Sequence, residues 1–162
     1  YSLDRPGPAG LHRRQNAEVA AACKAEGITL YDRVQQIFGE YGYFVEKVVS
    51  KTLPGKDGLS RMKEIMRDLR ANPPKELAGM KVVAVRDYLT GVRTCGEKTE
   101  PTGLPASNVL YYELEGGCWV CVRPSGTEPK IKLYVNTNAK TDDAAHALNE
   151  ELCKASEKLL DA

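Results

Sequence analysis

Between residues 110 and 135 the chain changes side at every second residue, and that rhythm limits what it can fold into. Leu110, Tyr112 and Leu114 alternate with more polar neighbours, Glu115-Gly116-Gly117 offers a tight turn, and Cys118, Val120 and Val122 alternate again. Past a polar stretch, Ile131, Leu133 and Val135 do so a third time. Side chains on a strand point to opposite faces in turn, so each run has one apolar and one wet face. The pattern predicts a β-hairpin and a third strand, with the loop Arg123-Pro124-Ser125-Gly126-Thr127-Glu128-Pro129-Lys130 opening directly from the hairpin's second strand.

That loop concentrates what a phosphate ester needs. Arg123 gives a planar fork of donors, Gly126 lets backbone N–H groups turn toward an anion, Ser125 and Thr127 add hydroxyl donors, and Lys130 is a nearby ammonium. Lys130, Lys132 and Tyr134 lie on the strand face opposite Ile131, Leu133 and Val135, which puts both lysines near the loop on a polar face. Pro, Ser, Gly and Thr are also ordinary turn residues, and on composition alone a polar hairpin connection is the commoner reading.

The rest of the chain reads as scaffold. Residues 1–11 hold two prolines and two glycines without periodicity and read as a disordered leader. A helix is expected from His12 to Glu26, with Gly27 placed to end it. Thr29, with Asp32 three residues on, caps a second helix whose Leu30, Val34, Ile37, Phe38 and Tyr41 form an apolar stripe of the core-packing kind, closed by Gly42. Tyr43 to Leu53 has the β-branched content of a strand and stops at Pro54-Gly55. Leu59, Met62, Ile65, Met66 and Leu69 then share one face of a helix that ends before Asn72-Pro73-Pro74. Met80 to Tyr88 is a further strand, and residues 89–107 read as an irregular Thr-, Gly- and Pro-rich loop. The terminal helix, Asp142 to Leu160, is expected to turn Ala144, Leu148, Leu152, Ala155 and Leu159 inward.

Charge and composition narrow the function classes. The 162 residues, 42% hydrophobic and 28% charged, suffice for a domain with a sizeable core. A net charge of +1 from 23 basic and 22 acidic residues leaves no broad field for nucleic acid or anionic lipid, so an anion site must be local. Apolar runs such as Val82 to Val85 are too short for a bilayer span, and no signal-peptide order is present. A soluble cytoplasmic protein is expected, with no membrane or nucleic-acid partner. Five cysteines, an odd number, suggest free thiols in a reducing compartment.

Three other constellations carry less. Cys118 and Cys121 have C-x-x-C spacing, but three apart on a strand they face opposite sides and do not converge on a metal. His12 and His146 have no nucleophile or carboxylate partner in view and read as surface residues. Gly55-Lys56-Asp57-Gly58 lacks the spacing of a nucleotide phosphate loop and reads as a strand-to-helix turn.

The run Arg123 to Lys130, followed by Ile131-Lys132-Leu133-Tyr134, resembles the C-terminal phosphate-binding signature of the phosphohexomutases, the phosphoglucomutase and phosphomannomutase family. The likeness extends through Ala25-Glu26-Gly27-Ile28-Thr29-Leu30-Tyr31-Asp32, Tyr41-Gly42-Tyr43, Gly55-Lys56-Asp57-Gly58, Arg86-Asp87-Tyr88-Leu89-Thr90-Gly91 and Leu104-Pro105-Ala106-Ser107-Asn108-Val109-Leu110. It covers the chain from about Lys24 onward and corresponds to the last quarter to third of a bacterial phosphoglucomutase.

The resemblance implies an α+β fold: a mixed, largely antiparallel sheet of four to five strands from roughly 43–53, 80–88, 107–115, 117–123 and 130–137, with helices 57–71 and 141–160 on one face. This is the TBP-like C-terminal domain of the family. Residues 12–42 would be a helical remnant of the third mutase domain and 43–162 the phosphate-binding domain. Family members carry their phosphoserine loop, Mg²⁺-binding aspartate loop and sugar-recognition loop in the first three domains. This sequence has no Ser-His-Asn-Pro nucleophile loop and no Asp-Gly-Asp metal loop, so it implies no catalytic residue and no metal ligand here, and a fragment inert alone. By the same likeness Arg123, Ser125, Gly126 and Thr127, with Lys130, would hold the phosphate that is not being transferred. Hexose phosphate, glucose 1,6-bisphosphate and the remaining domains are the implied ligands and partners, and the exposed stripe of residues 12–42 an implied self-association surface. The alternative is a stand-alone phospho-ligand binding or scaffold module without catalysis.

Overall fold

The computed structural model describes residues 8–161, with side chains from Arg14 onward; the proposed leader up to residue 7 and the side chain of His12 lie outside the described residues. Two units separate at Gly42, the second being Tyr43–Ala162. The first holds α1, Pro8–Ala25, and α2, Leu30–Tyr41. The helix thus begins inside the stretch expected as leader, at a proline whose fixed φ and missing N–H suit a first helical turn.

Thr29 caps α2 as expected, its hydroxyl accepting from the Asp32 N–H at 3.1 Å while the Asp32 carboxylate accepts from the Thr29 N–H at 2.8 Å. Arg33 pairs with Glu26. Along the apolar stripe Leu30, Val34, Ile37 and Tyr41 are exposed and Phe38 is half-buried.

The second unit is built on an eight-stranded sheet. Its strands are β1, Tyr43–Thr52, β2, Glu76–Leu77, β3, Met80–Asp87, β4, Val92–Cys95, β5, Lys98–Pro101, β6, Leu110–Leu114, β7, Trp119–Pro124, and β8, Lys130–Ala139. The order is β1-β8-β7-β6-β3-β4-β5, with β2 paired to β3, and every pairing among the described residues is antiparallel. The family-like α+β fold is therefore present with more strands than the four to five expected, and without parallel neighbours.

The additional strands come from two places. Residues 89–107, read as irregular, contain the β4–β5 hairpin, which turns at Gly96 with φ 59°. Its polar, exposed strands lack apolar alternation and are held by cross-strand charge instead. Arg93 bonds Glu100 at 2.8 Å and Glu113 of β6 at 2.7 Å, and Glu113 also receives Arg86 of β3 at 2.5 Å. The short β2 folds back on β3 through Ala78 and Gly79, both at positive φ.

The three alternating runs do form β6, β7 and β8. Leu110, Tyr112, Leu114, Val120, Val122, Ile131, Leu133 and Val135 are at most 2% exposed and form one face. Onto it pack α3, Gly58–Ala71, through Met62, Ile65, Met66 and Leu69, and α4, Asp142–Lys158, through Leu152 and Cys153. Both helices cover the same face, as expected. Leu59, expected inward, is exposed.

The inward face of α4 is also rotated from the apolar stripe, because two of its buried positions are polar. Ala145, Asn149, Leu152, Cys153 and Ser156 point in, and Ala144 does not. The Asn149 side-chain amide donates to the Val45 carbonyl at 3.0 Å and the Thr137 hydroxyl at 3.2 Å, while the Ser156 hydroxyl donates to the Leu152 carbonyl at 2.7 Å. Buried polar groups that are satisfied in this way cost little, and they fix the helix over β1 and β8. No helix among the described residues is long and apolar enough to cross a membrane.

The junction between β1 and α3 is the tightest approach described. A Cβ built on Gly58 would stand 2.2 Å from the Leu53 carbonyl oxygen and 2.8 Å from the Pro129 Cβ. Gly58→Ala should therefore lower stability by roughly 1–3 kcal/mol through overpacking. A urea melt superimposable on that of the unmodified chain would show that the junction yields freely.

The Glu113 network predicts a pH dependence. Hydrogen bonds from Arg93, then from Arg86, outweigh desolvation and hold the Glu113 carboxyl down to about 2, against an ordinary 4.5. Its contribution is present above 4.5 and is lost as pH falls toward 2. The stability gap between the wild type and Glu113→Gln should accordingly be largest near neutrality and shrink below pH 4.5; a gap constant down to pH 2 would count against it.

Candidate functional site

Residues 125–129 connect β7 to β8 at the end where the two strands are in register as Arg123↔Lys132 and Pro124↔Ile131. The Ser125 N–H donates to the Lys130 carbonyl and the Lys130 N–H to the Glu128 carbonyl, both at 2.8 Å, which closes the loop at its base. Within it the Ser125 hydroxyl oxygen accepts from the Glu128 N–H at 3.3 Å and from the Thr127 N–H at 3.5 Å. With two amides on the oxygen, the hydroxyl proton is left to donate outward. The Gly126 N–H has no hydrogen-bond partner among the described residues, and a Cβ there would meet nothing within 4 Å.

The far side of the loop is tied to the sheet. The Leu53 N–H, just past β1, donates to the Pro129 carbonyl at 2.8 Å, and the Pro129 ring lies against Gly58. The Gly55-Lys56-Asp57-Gly58 turn, expected only to join a strand to a helix, thus positions the loop by contact. Only the three-dimensional approach reveals it.

Arg123, Pro124, Ser125 and Gly126 line a cleft of about 190 Å³ together with Lys132 and Tyr134. Arg123 and Lys132 are exposed, and neither side chain has an ion pair or hydrogen bond among the described residues. Two cations directly opposite each other on neighbouring strands repel, and the pair becomes favourable when an anion sits between them. Burial pushes the nearby Cys121 thiol up to about 11, against a smaller opposing pull from Arg123.

The sequence-derived site residues divide here. Arg123, Ser125 and Gly126 converge on the cleft, and Thr127 is in the same loop with its N–H turned onto Ser125. Lys130 is not among the residues lining the cleft; its ammonium is 3.1 Å from the Glu128 carboxylate. Lys132, noted from the strand pattern but given no role, stands across from Arg123. Strand alternation alone could not choose between the two lysines.

Elsewhere, Cys118 is buried in the core and Cys121 lies on the opposite face, so the two sulfurs do not converge. His146 is exposed on α4, 3.8 Å from Asp142. Among the described residues no group of three or more His, Cys, Asp or Glu is placed to hold a metal. A larger groove of about 630 Å³ runs between residues 71–75 and β3, with Asn72, Lys75, Lys81 and Thr94 set in walls that are otherwise mainly apolar.

Comparison with known proteins gives these features a context. Residues 56–155 match the family model described as phosphoglucomutase/phosphomannomutase, C-terminal domain. The phosphoglucomutase of Staphylococcus aureus strain MSSA476 is 39% identical over 133 residues, covering 80% of this chain and 24% of that protein, and that of strain MRSA252 matches to the same extent. The chain thus spans about a quarter of the length of these relatives. Among solved structures, the open form of the exocytosis-sensitive phosphoprotein pp63/parafusin (phosphoglucomutase) from Paramecium aligns over 82% of this chain and 23% of that one, at 15% identity and a TM-score of 0.47.

Proposed function

Because the chain belongs to the phosphoglucomutase/phosphomannomutase family, as its C-terminal domain, we propose that its β7–β8 loop anchors the non-reacting phosphate of a hexose phosphate. The activity served is interconversion of hexose 1-phosphate and hexose 6-phosphate through a bisphosphorylated intermediate such as glucose 1,6-bisphosphate. The observation that carries this reading is the unneutralised Arg123–Lys132 pair lining one cleft with Ser125 and Gly126.

In this reading Arg123 binds two phosphoryl oxygens through its planar fork, and Lys132 supplies a second charge from the neighbouring strand. Ser125 donates its hydroxyl proton, Gly126 an amide, and Thr127 a hydroxyl from the loop. Lys130, bound to Glu128, contributes at the rim more weakly than Lys132. A mutase must hold either phosphate of the bisphosphate in turn, and a built anion site on one domain provides anchorage while the other end reacts. In this reading the nucleophile, the Mg²⁺ and the sugar-recognition loop belong to other domains of a full-length enzyme. The chain alone is inactive and works in the cytoplasm.

Titration with glucose 1,6-bisphosphate, followed by NMR or calorimetry, tests the site. Arg123→Ala should reduce affinity at least tenfold, as expected for loss of a bidentate charge-assisted contact. Lys132→Ala should weaken binding severalfold, and more than Lys130→Ala does. Binding that survives Arg123→Ala unchanged would remove the phosphate role and favour a scaffold module without it.

The exposed stripe of α2 supports a second proposal, that the chain self-associates through residues 12–42. Leu30, Val34 and Ile37 are exposed at helical spacing, an apolar stripe of the kind that soluble chains cover. Sedimentation velocity should show concentration-dependent association that Val34→Glu with Ile37→Glu abolishes. A monomer at every concentration would reject it.

A further inference from the structure

We infer that Tyr134 is a substrate-positioning residue, the surface against which the carbon skeleton of the phosphate ester lies. The inference rests on the phosphate reading of the loop and adds the direction in which the rest of the substrate leaves it.

The register fixes where Tyr134 stands. On β8 it follows Lys132 by two residues and so shares its face, about 7 Å farther from the loop at roughly 3.4 Å per residue. Of the six residues lining the cleft, Arg123, Ser125, Gly126 and Lys132 offer charge, hydroxyl or amide, Pro124 offers ring edge, and Tyr134 alone offers an aromatic surface. The volume of about 190 Å³ is roughly six times a water molecule's share of the liquid, more than a phosphate group fills. A phosphate held at the Arg123–Lys132 end leaves the remaining space on the Tyr134 side.

The surroundings of Tyr134 keep that surface available. Its cross-strand neighbours are Cys121 on β7 and Val48 on β1, both small. The nearest aromatic residues of this face are stacked on each other, at 5.0 Å: Tyr111, in the same row one strand beyond Cys121, and Trp119, diagonal to Tyr134. Tyr134 is half-buried, and its hydroxyl makes no hydrogen bond among the described residues. A ring face with a phenolic donor at its tip suits a polyhydroxylated ring, whose C–H face meets the aromatic and whose hydroxyls meet the phenol. The ligand class is a sugar phosphate.

Affinities for inorganic phosphate and glucose 6-phosphate, measured by NMR titration of the 162-residue chain, separate this inference from the reading beneath it. The wild type should bind glucose 6-phosphate about fivefold more tightly than inorganic phosphate, the size of one aromatic contact. Tyr134→Ala should abolish that preference while leaving inorganic phosphate binding within a factor of two, and Tyr134→Phe should keep most of it. Arg123→Ala should lose both ligands. If Tyr134→Ala weakens both ligands equally, or leaves the preference intact, Tyr134 has no role toward the sugar although the phosphate site stands. A wild type that binds neither ligand overturns the phosphate reading and this inference with it. The amide spectra of both Tyr134 variants report whether the sheet is intact, so a lost preference in a folded Tyr134→Ala is assignable to the ring.

Discussion

The loop that carries the site is held by a contact in which one residue must have no side chain. At Gly58 the start of α3 closes onto the Leu53 carbonyl and the Pro129 ring together, leaving no room for even a methyl group. Because the Pro129 carbonyl also accepts from the Leu53 N–H, the end of β1 and the first turn of α3, close in sequence, meet the distant loop between β7 and β8 within one van der Waals layer. The position of Ser125 and Gly126 relative to Arg123 follows from that meeting. Interiors are packed densely enough that such a junction transmits small shifts rather than absorbing them.

The face of the sheet turned away from α3 and α4 carries arginine in two different states. Toward β3, β4 and β5, Arg86 and Arg93 are consumed by Glu113 and Glu100, and Arg86 also lies 5.3 Å over the Tyr111 ring. That cluster is electrically closed, and its task is to hold a polar hairpin to the sheet. Toward β7 and β8, Arg123 and Lys132 have no such partner among the described residues. The same residue type is thus paired at one end and unpaired among the described residues at the other, and the difference lies in whether a carboxylate is within reach.

How much of this was legible in the sequence depended on what held each element. Strands β6, β7 and β8 announce themselves because hydrophobic burial drives them, and burial leaves a period of two. The β4–β5 hairpin does not, since Arg93, Glu100 and Glu113 hold it through pairings between residues 7 and 20 apart that no local pattern displays. The rotated face of α4 was hidden for a related reason: Asn149 and Ser156 are polar, and only the Val45 carbonyl and Thr137 hydroxyl beside Asn149 explain its burial. At the site, the signature loop was readable residue by residue. The choice of Lys132 over Lys130 as the cleft's second cation, and the support from Gly58, required the strands and the turn to be placed in space.

The two outer strands of the sheet are finished differently. Strand β5 is four residues long, with a lysine, a glutamate and a terminal proline, features that discourage another chain from adding to it. Strand β1 is ten residues long, contains no proline, and sets the exposed Phe44 and Val48 along its length. Among the described residues no strand pairs with one row of its amide and carbonyl groups, which makes that row a template for an extended segment from elsewhere. The exposed Glu46 and Lys47 are the charges on this strand that oppose fibrillar stacking.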